Sequence, residues 1–271
     1  MLILSGALKL VILTIKTAMN NFIVENKGFY AKITFSKPPL NIFSIEDLAE
    51  LNKALQNLMN QKDLKLIVFD SNQKVFSAGV NVLDHSPEKA PEVIRVFNDL
   101  FLTLMNMEIP TLALVKSGCM GGGSEFVLFC DFVLASENAY FAQPEIKLAC
   151  FPPLSIAHLG YVTGNKKALE LILTGEKISA KDALQAGLVN HVFSEEEFDR
   201  KAEEFINSIT CNSLSVIKTT LRTFKKLNYA GLKEKIQHTE KVFLEELINL
   251  EDYSEGISSF FEKRSPKWKD C

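Results

Sequence analysis

Short apolar runs alternate with longer amphipathic stretches over the first two thirds of the chain. Residues 29–35, Phe-Tyr-Ala-Lys-Ile-Thr-Phe, alternate between the two classes and predict a strand with one buried face. Beyond them, Leu48, Leu51, Leu55 and Leu58 recur at helical spacing, with Ser44 as the expected N-cap and acidic Glu46 and Asp47 in the first turn. A second apolar strand is expected over residues 64–70, a helix with Pro91 in its first turn over residues 91–107, and a third strand from Thr111 to Val115. This β-α-β-α order implies a parallel sheet with crossover helices.

The remainder reads as helical. Ser179 to Gly187 is a short helix closed by glycine, and Ser194 to Glu197 has the form of a capping box opening a helix toward Ile209. From Ser213 to Leu250 apolar residues keep helical spacing, with a break at Tyr229-Ala-Gly231. A face this apolar is expected to be buried, either on the chain's own sheet or on another subunit. The divisions expected are an extension over residues 1–20, a core over 21–195 and a helical region over 196–271.

Composition narrows the class. With 271 residues, 47% of them apolar, the chain can bury a large single core. A net charge of −3 from 30 basic and 33 acidic residues gives no global attraction to nucleic acid or anionic membrane. Five cysteines form no Cys-x-x-Cys pair and are read as reduced, and the four histidines, at 85, 158, 191 and 238, are too scattered to suggest a metal. A cytoplasmic protein is expected. The first eighteen residues are apolar but carry Lys9 and Lys16, which argues against a membrane span; Met19 is the expected true start, preceded by a poorly packed extension.

Candidate chemistry lies at two glutamates twenty positions apart, Glu125 and Glu145. Met120-Gly-Gly-Gly-Ser-Glu125 follows the apolar strand at Thr111 and precedes the buried run 126–130, a strand, glycine loop and helix layout suited to an anion. Upstream, residues 75–80, Val-Phe-Ser-Ala-Gly-Val, form another turn whose amides can converge on the same oxygen. Alone, each motif is more often an ordinary loop or a helix cap. Their ordered combination is what points to catalysis.

The order Phe76-Ser-Ala-Gly-Val80, Ile109-Pro110, Gly121-Gly-Gly-Ser-Glu125, Cys130-Asp131 and Phe141-Ala-Gln-Pro-Glu145 resembles the enoyl-CoA hydratase/isomerase, or crotonase, family. The likeness continues through Leu173-Thr-Gly, Ala186-Gly-Leu-Val189 and the tail from Glu255 to Trp268, so it runs from about Asn21 to the end. It implies an α/β fold, a repeated ββα spiral core with a C-terminal helical trimerisation region. It also implies catalytic roles for Glu125 and Glu145 and an oxyanion hole from the backbone N–H groups of Val80 and Gly122. The same resemblance implies substrate contacts at Ser77, Ala78, Gly121, Phe151 and Pro152, with Lys263 in the basic tail meeting coenzyme A phosphates or simply solvated.

The activity implied is addition of water to an α,β-unsaturated acyl-CoA. Coenzyme A is then part of the substrate, and no metal, flavin or nicotinamide is called for. The family further implies a homo-oligomer, a trimer or a dimer of trimers. Asn81 and Ser124 depart from common family residues without removing a catalytic group. Cys150-Phe-Pro-Pro-Leu154 replaces a glycine-rich stretch that borders the acyl pocket, and with Asp84-His85 it resembles the cyclohexa-1,5-diene-1-carbonyl-CoA hydratases. Straight-chain enoyl-CoA hydration, isomerase or hydrolase chemistry on the same fold, and a non-catalytic CoA-thioester scaffold are the alternatives. His85 is either a substrate-site residue or an exposed bystander.

Overall fold

The computed structural model describes residues 16–271, with side chains from Met19 onward. Strand β1 (Lys16–Ala18) pairs antiparallel with β2 (Phe22–Asn26), and β2 pairs antiparallel with β3 (Tyr30–Phe35). Residues 16–18 of the expected extension are therefore an edge strand; its first fifteen residues lie outside the described chain.

From β3 the chain repeats one unit, a long strand, a short strand and a helix. The first is β3, β4 (Ile42–Phe43) and α1 (Ile45–Met59); the second is β5 (Leu66–Ser71), β6 (Gly79–Val80) and α2 (Ala90–Asn106). The third is β7 (Thr111–Val115), β8 (Gly118–Met120) and α3 (Gly122–Leu128). A fourth begins with β9 (Phe132–Ser136) and β10 (Tyr140–Ala142), then passes through a 3-10 turn, Pro144–Leu148, into α4 (Pro153–Thr163). There follow α5 (Asn165–Thr174), β11 (Ile178–Ser179), α6 (Ala180–Gln185), β12 (His191–Phe193) and α7 (Glu195–Thr210). Helices α8 (Leu214–Asn228), α9 (Leu232–Glu245) and α10 (Glu251–Phe261) complete the fold.

The long strands build one sheet in the order β1-β2-β3-β5-β7-β9-β12, parallel from β3 onward. Short strands turn out of it: β4 pairs with β6, and β8 pairs with β10, which carries β11 on its other edge. Successive turns of this ββα spiral bring the ends of β6, β8 and β10 together. That convergence is what positions the site.

Strand β5 is buried along almost its whole length, as expected for a parallel strand covered on both faces. On one face α7 packs Phe198, Ala202 and Ile206 against Leu66, Val68, Leu112, Leu114 and Leu134. The other face holds a chain of aromatic rings. Phe35 and Phe69 meet Phe126 edge-on at 5.6 and 4.8 Å, and Phe101 meets Phe129 at 4.8 Å. Phe126 directly follows Glu125, so this packing fixes the short helix that carries the carboxylate.

The helix ends follow local chemistry at some positions and not at others. Ser44 and Asp47 form a reciprocal capping box on α1, and Leu48, Leu51, Leu55 and Leu58 are all buried. At Ser194 the expected box does not form: the side chain makes no capping bond, and only the Glu197 amide reaches back, to the Ser194 carbonyl. The break at Tyr229 to Gly231 occurs as expected, with Gly231 at a φ of 77° before α9. A buried ion pair ties α8 to the sheet: Lys225 Nζ lies 3.2 Å from Asp131 Oδ1 and donates to Leu104 O at 2.9 Å.

Candidate active site

The site begins at two close backbone approaches. Gly79 adopts a φ of 95°, and a Cβ there would stand 3.0 Å from the Gly122 nitrogen. A Cβ on Gly122 would meet Val80 Cγ2 at 3.0 Å. Absent side chains therefore let β6 and the start of α3 touch. Among the described residues no acceptor pairs with the Gly122 N–H, which occupies the first position of its helix and has no intrahelical partner. The Asn81 N–H donates to Phe43 O, and backbone alternation along β6 turns the Val80 N–H to the opposite edge. Val80 and Gly122 thus present backbone at one point.

Glu125 lies one helical turn into α3 and is 2% exposed. Its Oε1 accepts the Leu154 amide at 2.8 Å and the Ser155 amide at 2.9 Å. The Pro152 ring offers no acceptor to cap α4 and Pro153 has no N–H, so Glu125 supplies the N-terminal acceptor from another helix. Glu145 sits on the 3-10 turn after β10, beside Gly121: a Cβ on Gly121 would lie 3.1 Å from its Oε1. Its Oε2 is enclosed and unpaired among the described residues.

These environments separate the two carboxyls. Burial raises Glu125 to about 7, although the Ser155 and Leu154 amides pull it down. Glu145 is raised well above the ordinary carboxylate range, first by burial and then by the charge of Glu125. Glu125 holds two donors and ionises first; Glu145 keeps its proton. An acid and a base therefore share one site. Burial also raises the neighbouring Cys150 thiol, keeping it protonated.

A cavity of about 100 Å³ opens on these groups. Of the residues singled out in the sequence, Ala78, Val80, Gly121, Gly122, Glu125, Glu145 and Phe151 line it. Three expected contacts do not reach its wall. Ser77 is fully buried behind it, its hydroxyl donating to Asn41 O at 2.8 Å and accepting the Gly79 N–H at 3.0 Å. Pro152 stands at the N-terminal boundary of α4, outside the lining, while Pro153, its neighbour, forms the wall. Lys263 follows α10 on the exposed surface, outside the cavity lining.

Other lining residues carry no motif. Val93, Ile94 and Phe97 come from α2, and Phe243, Tyr253 and Ile257 come from α9 and α10. Phe243 packs edge-on against Phe151 at 5.3 Å, so the C-terminal helices roof the cavity of their own chain. Helical periodicity marks these residues as buried but cannot tell a cavity wall from a core. His85, whose role the sequence leaves open, also lines the cavity. Among the described residues no cluster of three or more His, Cys, Asp or Glu forms a metal-binding group, and no helix is long and apolar enough to cross a membrane.

An enoyl-CoA hydratase from Mycobacterium avium subsp. paratuberculosis K-10 shares this fold, with a TM-score of 0.84 at 23% identity over 93% of this chain and all of that one. In sequence, a probable mitochondrial enoyl-CoA hydratase from Dictyostelium discoideum is 31% identical over 90% of this chain and 89% of its own length. Cyclohexa-1,5-dienecarbonyl-CoA hydratase from Thauera aromatica is 26% identical over 91% of this chain and 95% of its own. The enoyl-CoA hydratase/isomerase family pattern matches residues 25–271, across both carboxylate-bearing segments and the helices that roof them. The chain is a member of the enoyl-CoA hydratase/isomerase family.

Proposed function

We propose that this protein is a hydro-lyase that adds water to an α,β-unsaturated acyl-CoA thioester. The observation that carries the reading is the pair of buried carboxylates in one cavity, one held by two amides and the other with an enclosed, unpaired oxygen. Water attacks Cβ while negative charge develops on the thioester oxygen. The backbone N–H groups of Val80 and Gly122 receive that charge, and losing one such donor typically costs about 10²–10³ in rate. Ionised Glu125 orients and deprotonates the water; Glu145 delivers its proton to the α-carbon, or to the far end of a longer conjugated system. In dehydration the roles reverse.

The chain supplies acid, base and oxyanion donors, so the proposal calls for no metal, flavin or nicotinamide, with coenzyme A entering as part of the substrate. The acyl group we favour is a cyclic diene, cyclohexa-1,5-diene-1-carbonyl-CoA, in anaerobic aromatic degradation. Support comes from Phe151 and Pro153 in the cavity wall and from the 26% identity to the Thauera hydratase. Straight-chain enoyl-CoA hydration is the second reading, favoured by the 31% identity to the Dictyostelium relative. Retention of both glutamates speaks against an isomerase or hydrolase and against a catalytically silent scaffold.

We propose a cytoplasmic homo-oligomer, a trimer or dimer of trimers. Its support is the apolar face of α8, where Val216, Phe224 and Leu227 are 61%, 56% and 73% exposed. Light scattering on purified protein tests the assembly. Turnover of cyclohexa-1,5-diene-1-carbonyl-CoA beside crotonyl-CoA, followed by chromatography and mass, tests the reaction. Preference for the diene supports the favoured acyl group, preference for crotonyl-CoA supports the second reading, and turnover of neither removes both.

A further inference from the structure

His85 ends the 3-10 turn Val82–His85, directly after the β6 segment that carries Val80. His85 lines the cavity that holds Glu125 and Glu145. Its Nδ1 stands 3.1 Å from Asn81 O. A carbonyl can only accept, so Nδ1 carries the proton, and in the neutral ring Nε2 is then an acceptor. Burial lowers the His85 pKa and outweighs the Asn81 hydrogen bond and the Asp84 charge, which raise it.

Among the described residues nothing pairs with Nε2. It is not among the enclosed side-chain atoms without a partner, so it retains some accessible surface. The backbone of His85 is held from the opposite side. Tyr253 Oη donates to His85 O at 2.6 Å, joining the turn to α10 in the roof. Asp84, the adjacent carboxylate, is engaged by Lys89 at 3.2 Å.

The surrounding wall is apolar at Val82, Val93, Ile94, Phe97, Leu148 and Ile257. Its other polar side chains are Glu125 and Glu145, which are assigned to the reacting water and the α-carbon, Tyr253, already bonded to His85 O, and Cys150, whose Sγ lies 3.7 Å from Phe151 O. Before water is added, a diene or crotonyl group filling this space leaves Nε2 without a donor, which is unfavourable; the hydrated product, or an acyl group that already carries a hydroxyl, does not. An acyl hydroxyl supplies the missing hydrogen.

We propose that His85 determines specificity for acyl groups bearing a hydroxyl, with Nε2 accepting the hydroxyl hydrogen. The hydroxyl is either the one added at Cβ or one farther along the acyl group. The inference rests on the acyl-thioester reading above and extends it to the identity of the acyl substituent.

Binding of butyryl-CoA, 3-hydroxybutyryl-CoA and 4-hydroxybutyryl-CoA, measured by calorimetry in a Glu145→Gln background to prevent turnover, tests it. Adding His85→Leu is expected to weaken one hydroxyacyl-CoA by about 3- to 10-fold, the value of one hydrogen bond, and to leave butyryl-CoA unchanged. His85→Gln, which keeps an acceptor, should restore most of the difference. The ligand that responds identifies the hydroxyl position. Equal loss for all three ligands, or no change in any, overturns the role of His85 while leaving the thioester reading intact. Failure of the Glu145→Gln protein to bind any of the three overturns both.

Discussion

Glu125 Oε1 lies 2.8 Å from the Leu154 amide, so a carboxylate on one helix closes the N-terminus of another. The contact couples catalysis to architecture. It holds the base in place, lowers its proton affinity relative to Glu145, and ties α3 to the Phe-Pro-Pro segment beside the acyl space.

Glu145→Gln keeps the size of the side chain but removes the proton donor. The expected result is a kcat lower by about 10²–10⁴ with little change in acyl-CoA affinity. Glu125→Gln should also abolish turnover, and in addition weaken the α4 cap by about 0.5–2 kcal/mol, because its amide oxygen is a poorer acceptor. Steady-state kinetics with calorimetric binding check the first variant, and urea denaturation checks the second. Near-native turnover by either variant would remove the acid and base assignments.

The pH profile of hydration follows from the same pair. The rate should rise with pH as Glu125 ionises near 7 and fall at higher pH as Glu145 loses its proton. A profile of kcat/KM flat across this range would contradict the assigned roles.

Stability should move in the opposite sense. Both carboxyls have folded-state pKa values raised above ordinary ones, so the native state binds their protons more tightly than the unfolded chain. This contribution is complete below the ordinary carboxylate pKa and is lost as pH rises through about 7 for Glu125. Glu145→Gln, a neutral isostere, should therefore melt higher than the native protein at pH 8, with the two curves converging toward pH 5. Parallel melting curves would show that the pair is not strained by ionisation.

Gly79→Ala tests the oxyanion approach. The added methyl meets the Gly122 nitrogen at 3.0 Å on a residue whose φ is 95°, so the two backbones must separate. We expect kcat to fall by about 10²–10³, the usual cost of one displaced donor. A variant that folds and retains native kcat would exclude this amide pair from the reaction.

Lys225→Met tests the packing of α8 away from the chemistry. It leaves Asp131 enclosed with Thr111 N at 2.9 Å and Thr111 Oγ1 at 2.8 Å as its remaining partners. Breaking a buried pair typically costs about 3–5 kcal/mol, which a shift in urea midpoint at constant slope would report. A loss below about 1 kcal/mol would mean that the Thr111 contacts satisfy Asp131 by themselves.

Much of the architecture was legible along the chain because local rules and burial agree there. Ser44 and Asp47 cap α1, the buried strand from Thr111 to Val115 falls where its apolar run predicts, and Gly231 breaks the terminal helices. The glycine turns and their two glutamates likewise mark the site, since close backbone approach requires glycine whatever surrounds it. Ser194 shows the limit of such reasoning: the right residues stand at the right spacing, yet its side chain makes no capping bond.

Short segments alone carry the strands at residues 29–35, 64–70 and 111–115, the helices after Ser44, Pro91 and Ser194, the two glycine turns, and Glu125 and Glu145. Folding in three dimensions supplies the desolvation that raises both carboxyls, sets Ser77 behind the wall and His85 in it, and brings Phe243, Tyr253 and Ile257 over a cavity begun far earlier in the chain. These depend on desolvation and on contacts between distant segments, which no local pattern encodes.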